Sequence, residues 1–138
     1  MNKFRALMVL FTLISTQVVP QSINNETLIG VWEATSVERK SCNSSEDGGV
    51  VVLECPEICM RITLYADGKA ENSYSDPSSS EEKTMGTYQV KGDQIVWCDP
   101  LSDDPCETAL FVQTEDTLIF TTKEEDNGCE VITTFARK

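Results

Sequence analysis

Histidine is missing from this sequence of 138 residues. Its absence excludes Ser-His-Asp and Cys-His catalysis and every histidine-ligated metal site. Basic residues are scarce, with 11 Lys and Arg against 23 Asp and Glu, and the net charge of −12 argues against binding to nucleic-acid phosphates. There is no Cys-x-x-Cys motif, which removes the usual redox pair. Past residue 27 no stretch of ten residues has a clean helical period, which favours an all-β domain.

Long apolar runs are also absent, apart from one near the N-terminus. There, Lys3 and Arg5 precede an apolar run from Ala6 to Ile14, the pattern of a secretory signal peptide. The run is shorter than the roughly 20 residues that cross a membrane. We therefore predict a signal peptide over residues 1–22, one domain over residues 23–138, no membrane span, and a secreted or periplasmic protein. A buried N-terminal helix is the alternative.

Eight strand-like segments alternate with turn signals along the rest of the chain. They are Leu28–Glu38, Ile58–Tyr65, Lys69–Ser75, Thr84–Val90, Gln94–Cys98, Glu107–Thr114, Thr117–Thr122 and Cys129–Ala136. Tight turns at 66–68, 91–93 and 115–116 alternate with longer connections at 39–57, 76–83, 99–106 and 123–128. An up-and-down antiparallel order collects the tight turns at one end and the long loops at the other. The sequence predicts an eight-stranded up-and-down barrel, with a β-sandwich as the alternative.

A short motif opens the first strand: Gly30-Val31-Trp32, just after a polar lead-in. It resembles the Gly-x-Trp signature of lipocalins and of small bacterial lipocalin-like domains. The segments 62–69 and 85–95, each a strand, an Asp or Gly turn and another strand, are also similar to that group. The resemblance implies a lipocalin-like barrel over 23–138 that holds a small apolar ligand at its open end. Independently of the family, a large ring at the barrel base predicts a core role for Trp32.

Six cysteines in an exported chain indicate disulfides. The predicted topology brings all six to the long-loop end. We expect Cys98 to pair with Cys106 across one loop. The remaining four, Cys42, Cys55, Cys59 and Cys129, are expected to join the first long connection to itself and to the last strand. A zinc site that uses Cys55 and Cys59 is the competing interpretation. We expect no metal and no cofactor.

The four long connections carry thirteen acidic and four basic side chains, a local charge of −9. An open end of this charge attracts a cationic ligand or a basic protein surface. A solvated acidic surface that keeps the protein soluble is the alternative. Within the first connection, the apolar run Gly48–Leu53 either extends the second strand or folds over the mouth as a lid.

Two functions fit these observations. The first is a secreted barrel that binds a small hydrophobic or amphipathic ligand at its open end. The second is a non-catalytic protein-interaction module that acts through the acidic, disulfide-stapled loops. Bulky inward residues fill small barrels, and a filled interior favours the second function. No enzyme activity is expected, because no nucleophile has a recognisable base partner. The candidate ligand-binding residues are Met60, Tyr88, Trp97, Val51 and Leu53.

Overall fold

The computed structural model describes residues 25–103 and 105–138. The predicted signal peptide lies outside these residues and stays a prediction. In the described part, short 3-10 helices at Asn25–Thr27 and Ser45–Asp47 accompany nine strands. The strands are β1 (Gly30–Lys40), β2 (Gly49–Val52), β3 (Cys59–Leu64), β4 (Lys69–Asp76), β5 (Ser79–Lys91), β6 (Gln94–Cys98), β7 (Cys106–Gln113), β8 (Thr117–Lys123) and β9 (Glu130–Arg137).

Eight of the strands form a closed antiparallel barrel, as predicted. From β3 to β9 each strand pairs with the next one in sequence, and β1 pairs with both β3 and β9. The closing seam of β1 and β9 is continuous from the Trp32–Arg137 pair to the Lys40–Glu130 pair, apart from one bulge at Thr35. Because this seam leaves no gap between two sheets, the sandwich alternative is wrong.

The fourth barrel strand is longer than predicted. β5 begins at Ser79 instead of Thr84, so the connection expected over 76–83 shrinks to Pro77 and Ser78. The Asp76 carboxylate closes this turn, since its Oδ1 accepts hydrogen bonds of 2.8 Å from the backbone N–H groups of Ser78 and Ser79. A serine-rich run that predicts a loop therefore forms a hairpin, because one aspartate satisfies the turn backbone.

The apolar run of the first connection forms an extra strand. β2 pairs with the second half of β1, from Ser36 opposite Val52 to Arg39 opposite Gly49. The first half of β1 pairs with β3 instead. Residues 53–58 separate β2 from β3 and include Pro56, which cannot donate to a strand ladder. The lid interpretation is wrong, and the run extends the sheet along the same side of β1 as β3.

The hydrophobic core fills the end of the barrel that carries the β3–β4, β5–β6 and β7–β8 turns, which we call the narrow end. Trp32 is completely buried, and its indole Nε1–H donates to the carbonyl oxygen of Leu28 at 2.9 Å. The Arg137 guanidinium lies 4.2 Å from the centre of the Trp32 ring and donates to the carbonyl oxygens of Ile29 and Glu115. This stacked pair plugs the narrow end, which is the core role that the sequence predicts for Trp32.

Candidate functional site

Inward-facing side chains become more exposed to solvent along each strand toward the end of the barrel that carries the long loops. On β7, Phe111 is buried, Ala109 is half-buried and Glu107 is exposed. On β5, the exposure of the inward side chains likewise increases from buried Tyr88 to exposed Glu82. Because inward side chains alternate with outward ones, each series follows one interior wall. The barrel is therefore packed at the narrow end and hollow at the other, which we call the wide end.

An interior cavity of about 160 Å³ lies above the core, between β3 and β4 on one side and β6 to β8 on the other. Ile62, Leu64 and Ile95 are all buried and form its apolar floor. Trp97 and Phe120 provide aromatic walls. The polar lining is Asn72, Glu107, Thr108 and Thr122. An apolar floor below a polar margin suits a ligand with one apolar and one polar end.

A second, more open cavity of about 360 Å³ adjoins the interior cavity. Ile62, Asn72 and Glu107 border both spaces. The outer cavity adds Met60 and Tyr74 from neighbouring strands. Its volume lies in the range of about 300–1,000 Å³ that is usual for small-molecule sites, whereas the interior cavity is smaller. The two together offer a narrow apolar recess below a wider polar opening, and we call them the cup.

The charges that face the cup are mainly negative. Glu82 and Glu107 line it, and neither takes part in an ion pair among the described residues. The one basic residue on the lining is Arg61, whose Nε lies 2.8 Å from Glu33 Oε2. Although burial raises the pKa of Glu33, hydrogen bonds from Arg61 and Lys138 outweigh it and lower the pKa overall. Arg61 is thus committed to Glu33, and the cup keeps two uncompensated carboxylates.

A disulfide and a glycine hold Trp97 against the cup. Trp97 and Glu107 face each other on β6 and β7, next to the cross-strand disulfide of Cys98 and Cys106. On the other side, a Cβ at Gly86 would lie 3.0 Å from Trp97 Cζ2 and only 2.3 Å from the Cys98 carbonyl oxygen. The absence of a side chain at Gly86 allows β5 and β6 to approach closely and fixes the place of the indole.

The β4–β5 turn shapes the outer edge of the cup. Hydrogen bonds from the side chains of Ser78 and Ser79, together with that from the Ser78 backbone, lower the pKa of Asp76 from 3.8 to about 2. The Tyr74 hydroxyl donates to Asp76 Oδ2 at 3.1 Å. This hydrogen bond is the main reason why the pKa of Tyr74 is raised. Asp76 therefore positions Tyr74 at the opening.

The other two disulfides also lie at the wide end, as predicted. Cys42 bonds to Cys129 and ties the loop after β1 to the start of β9, whereas Cys55 of the first connection bonds to Cys59 at the start of β3. All three pairings agree with the expected pattern. The zinc interpretation of Cys55 and Cys59 is wrong, since their sulfurs bond to each other. Three disulfides indicate an oxidising extracellular or periplasmic compartment.

The five predicted ligand-binding residues do not lie together. Trp97 lines the interior cavity and Met60 lines the outer one. Tyr88 packs in the core, where burial raises its pKa and its hydroxyl donates to the Tyr65 carbonyl oxygen at 2.8 Å. Leu53 packs against the core from the first connection, and Val51 is half exposed on β2. The last three line neither cavity.

Sequence reasoning missed the polar residues of the cup. Glu107 shares a strand face with Ala109 and Phe111, and Asn72 shares one with Ala70. Strand alternation was the signal that could have found both, because every second residue faces the interior. Each lies on a predicted strand, but the strands alone do not show which of their faces is enclosed.

A wider surface cleft of about 560 Å³ lies at the narrow end, between the first 3-10 helix and the β7–β8 turn. Its basic residue, Arg137, already donates hydrogen bonds to the backbone of Ile29, Glu115 and Thr27. The cleft is outside the barrel, and its basic side chain is engaged in closing the base. The cup is therefore the better candidate site.

The fold and the enclosed cup together define a lipocalin-like barrel. The structure is similar to that of a lipocalin-like protein from Bacteroides uniformis, with a TM-score of 0.61 and 13% identity over 81% of this chain and 99% of that chain. It is also similar to an uncharacterized protein from Bacteroides eggerthii, with a TM-score of 0.57 and 15% identity over 80% and 98%. No protein-family model and no curated protein matches the sequence. The likeness shows the fold that the Gly-x-Trp motif implied.

No helix in residues 25–103 and 105–138 has the length and apolar character needed to cross a membrane. In the same residues, no group of three Cys, Asp or Glu side chains is placed to hold a metal ion.

Proposed function

We propose that this protein is a secreted binding barrel that holds a small amphipathic ligand in the cup. The observation that carries the proposal is the recessed cavity between the packed base and the wide end, with buried Ile62, Leu64 and Ile95 as its floor. Covering a recessed apolar surface with the apolar group of a ligand removes that surface from water and is favourable. The lipocalin-like fold supports the proposal, because such barrels enclose space for one small ligand.

The size of the cavity limits the ligand. An interior space of about 160 Å³ admits a single ring or a short alkyl group, and the polar end of the ligand then lies beside Asn72 and Glu107. The two unpaired carboxylates favour a polar end that is neutral or positively charged over one that is negatively charged. A small organic ammonium compound with one aromatic ring has this chemistry, and the Trp97 ring can also attract its cation.

Export and the absence of catalysis belong to the same proposal. The N-terminal run typical of a signal peptide and the three disulfides support secretion. A chain without histidine has a limited choice of general bases, and the carboxylates of the cup lie at an open, hydrated margin. A binding role needs only the shape and charge of the cup.

The two tryptophans provide a direct test with an internal control. In an ¹⁵N-labelled sample, the indole N–H of Trp97 reports on the cup and that of Trp32 reports on the plugged base. Titration with 2-phenylethylamine is expected to shift the Trp97 indole signal in a saturable way and to leave the Trp32 signal in place. Equal shifts of both signals, or none at millimolar concentration, would contradict binding in the cup.

A further inference from the structure

β2 presents an unpaired apolar edge at the wide end. It pairs with β1 on one side, and no other described strand pairs with its second side. Val50, Val51 and Val52 are 62%, 49% and 66% exposed, respectively. Soluble proteins usually protect such an edge with a lysine, a proline or a covering segment. β2 contains none of these residue types, which makes it an open template for another strand.

The register shows which backbone groups of β2 point away from the barrel. The N–H of Leu53 donates to the carbonyl oxygen of Thr35 at 2.9 Å, so these two residues form a hydrogen-bonded pair. In an antiparallel ladder such pairs alternate with pairs that do not bond to each other. Val51 therefore bonds to β1, and the N–H and carbonyl groups of Val50 and Val52 point outward. Two donors and two acceptors are available to an incoming strand.

Acidic side chains surround this edge. Glu46 and Asp47 precede β2, Glu54 and Glu57 follow it, and all four are exposed. Glu38 stands opposite Val50 on β1. The nearest basic neighbour on that strand, Arg39, is 3.0 Å from Glu124 and is thereby engaged. An apolar strand with acids at both ends is complementary to an extended segment with apolar side chains between basic residues.

We propose that β2 binds an extended, basic-flanked segment of a partner protein, which adds to the barrel as a further antiparallel strand. Val50 and Val52 exchange backbone hydrogen bonds with the segment, which supplies affinity independent of its sequence. Apolar side chains of the segment cover the valines, and its basic ends face the flanking carboxylates. This interaction is independent of the ligand in the cup.

A second copy of the chain fits the edge less well. Two β2 strands related by a two-fold axis at Val51 place Glu54 of one copy beside Asp47 and Gly48 of the other. Like charges facing each other across strands are destabilising, and each chain has a net charge of −12. The same carboxylates that attract a basic segment therefore oppose self-pairing.

Amide hydrogen exchange of the purified protein tests this proposal. The probe is a blocked heptapeptide of alternating valine and threonine with lysine at both ends, and the control peptide has glutamate at both ends. The lysine peptide is expected to protect the amides of Val50 and Val52 and to bind several-fold more tightly than the glutamate peptide. Unchanged exchange at these amides, or equal binding of both peptides, would overturn the proposal. So would protection that rises with protein concentration alone, since a second copy would then occupy the edge.

Two substitutions separate backbone pairing from side-chain contact. Val50→Pro removes one outward N–H without removing a bond to β1, as an edge position allows, and is expected to abolish binding. Val50→Thr keeps the N–H and the shape of the side chain, and should weaken binding without abolishing it. Full binding by Val50→Pro, in a variant whose spectrum shows an intact barrel, would exclude strand addition at β2.

Discussion

At the scale of single residues, Gly86 determines how closely β5 approaches β6. The Cys98 carbonyl oxygen would lie 2.3 Å from a Cβ at this position, well inside van der Waals contact. The atoms that crowd the position belong to Cys98 and Trp97 on β6. A side chain here must push that strand away from β5 or move the indole into the cup.

We predict that Gly86→Ala lowers the free energy of unfolding by roughly 1–3 kcal/mol, the usual cost of overfilling a packed site. Urea denaturation measures the change. Thr87→Ser is the matched control, because Thr87 is the exposed neighbour on the same strand. Equal urea midpoints for Gly86→Ala and the control would mean that the close approach of β5 and β6 does not contribute to the stability of the fold.

Glu107 is the residue that should decide the preferred charge of the ligand. We predict that 2-phenylethylamine binds more tightly than 2-phenylethanol, and 2-phenylethanol more tightly than phenylacetate. Glu107→Gln should reduce the preference for the amine by roughly 1 kcal/mol, about fivefold in Kd, because an exposed ion pair contributes about that much at most. Calorimetric titration of the three compounds measures this series.

The control for this series is Glu81→Gln, on β5 beside Glu82. It removes the same charge from a residue that does not line the cup. If the overall negative charge caused the preference, both substitutions would weaken amine binding equally. A preference that survives Glu107→Gln unchanged would show that this carboxylate does not contact the polar end of the ligand.

At the scale of structural elements, the β4–β5 turn depends on one ionised carboxylate. Asp76 has a lowered pKa in the folded protein, so its ionised form is the one that the fold favours. The stabilisation is complete above the unfolded value of 3.8 and is lost as the pH falls toward about 2. The Tyr74 hydrogen bond at the edge of the cup is lost with it.

We therefore predict that the carboxyl carbon of Asp76 titrates with a midpoint near 2 in the folded protein. NMR titration of the ¹³C-labelled protein measures this midpoint directly. A midpoint for Asp76 near 3.8 would contradict the hydrogen bonds of the Ser78 and Ser79 side chains.

The disulfides differ in how much chain they enclose. The bond of Cys42 and Cys129 spans 87 residues, and that of Cys55 and Cys59 spans 4. Replacing both cysteines of a pair by alanine should lower the free energy of unfolding by roughly 4–5 kcal/mol for the first and about 2 kcal/mol for the second, since loop entropy grows with length. Urea denaturation of the two double variants gives the order, and the reverse order would contradict the pairing.

The sequence predicts the elements that depend on local chemistry. The tight turns contain Asp and Gly residues that favour positive φ, and Gly68 and Gly92 adopt it. The Cys98–Cys106 pair follows from two strand ends that the barrel brings together, whereas the sequence left open which cysteine of the first connection joins Cys129. β2 and the β4–β5 hairpin were harder to predict. The four residues of β2 form a strand through their pairing with β1, which lies outside that run. The serine-rich turn depends on the hydrogen bonds of one side chain, that of Asp76, which composition alone does not show.

At the scale of the whole molecule, one end of the barrel contains the stabilising core and the other end contains the candidate binding sites. The narrow end is closed by Trp32 and Arg137, and it contains the core. The wide end carries the three disulfides, the cup and the edge of β2. Site residues such as Glu107 and Asn72 could not be assigned from the sequence, because the enclosed volume exists only once all eight strands have closed.

Ligand affinity in a barrel whose interior cavity has been filled shows whether the ligand binds inside the barrel. Ala109 lines that cavity, whereas Val112 is 64% exposed on the same strand. We predict that Ala109→Leu raises the Kd for 2-phenylethylamine by at least about tenfold and that Val112→Leu leaves it unchanged. Unchanged affinity in a folded Ala109→Leu variant would show that the ligand does not enter the barrel, and would contradict the account.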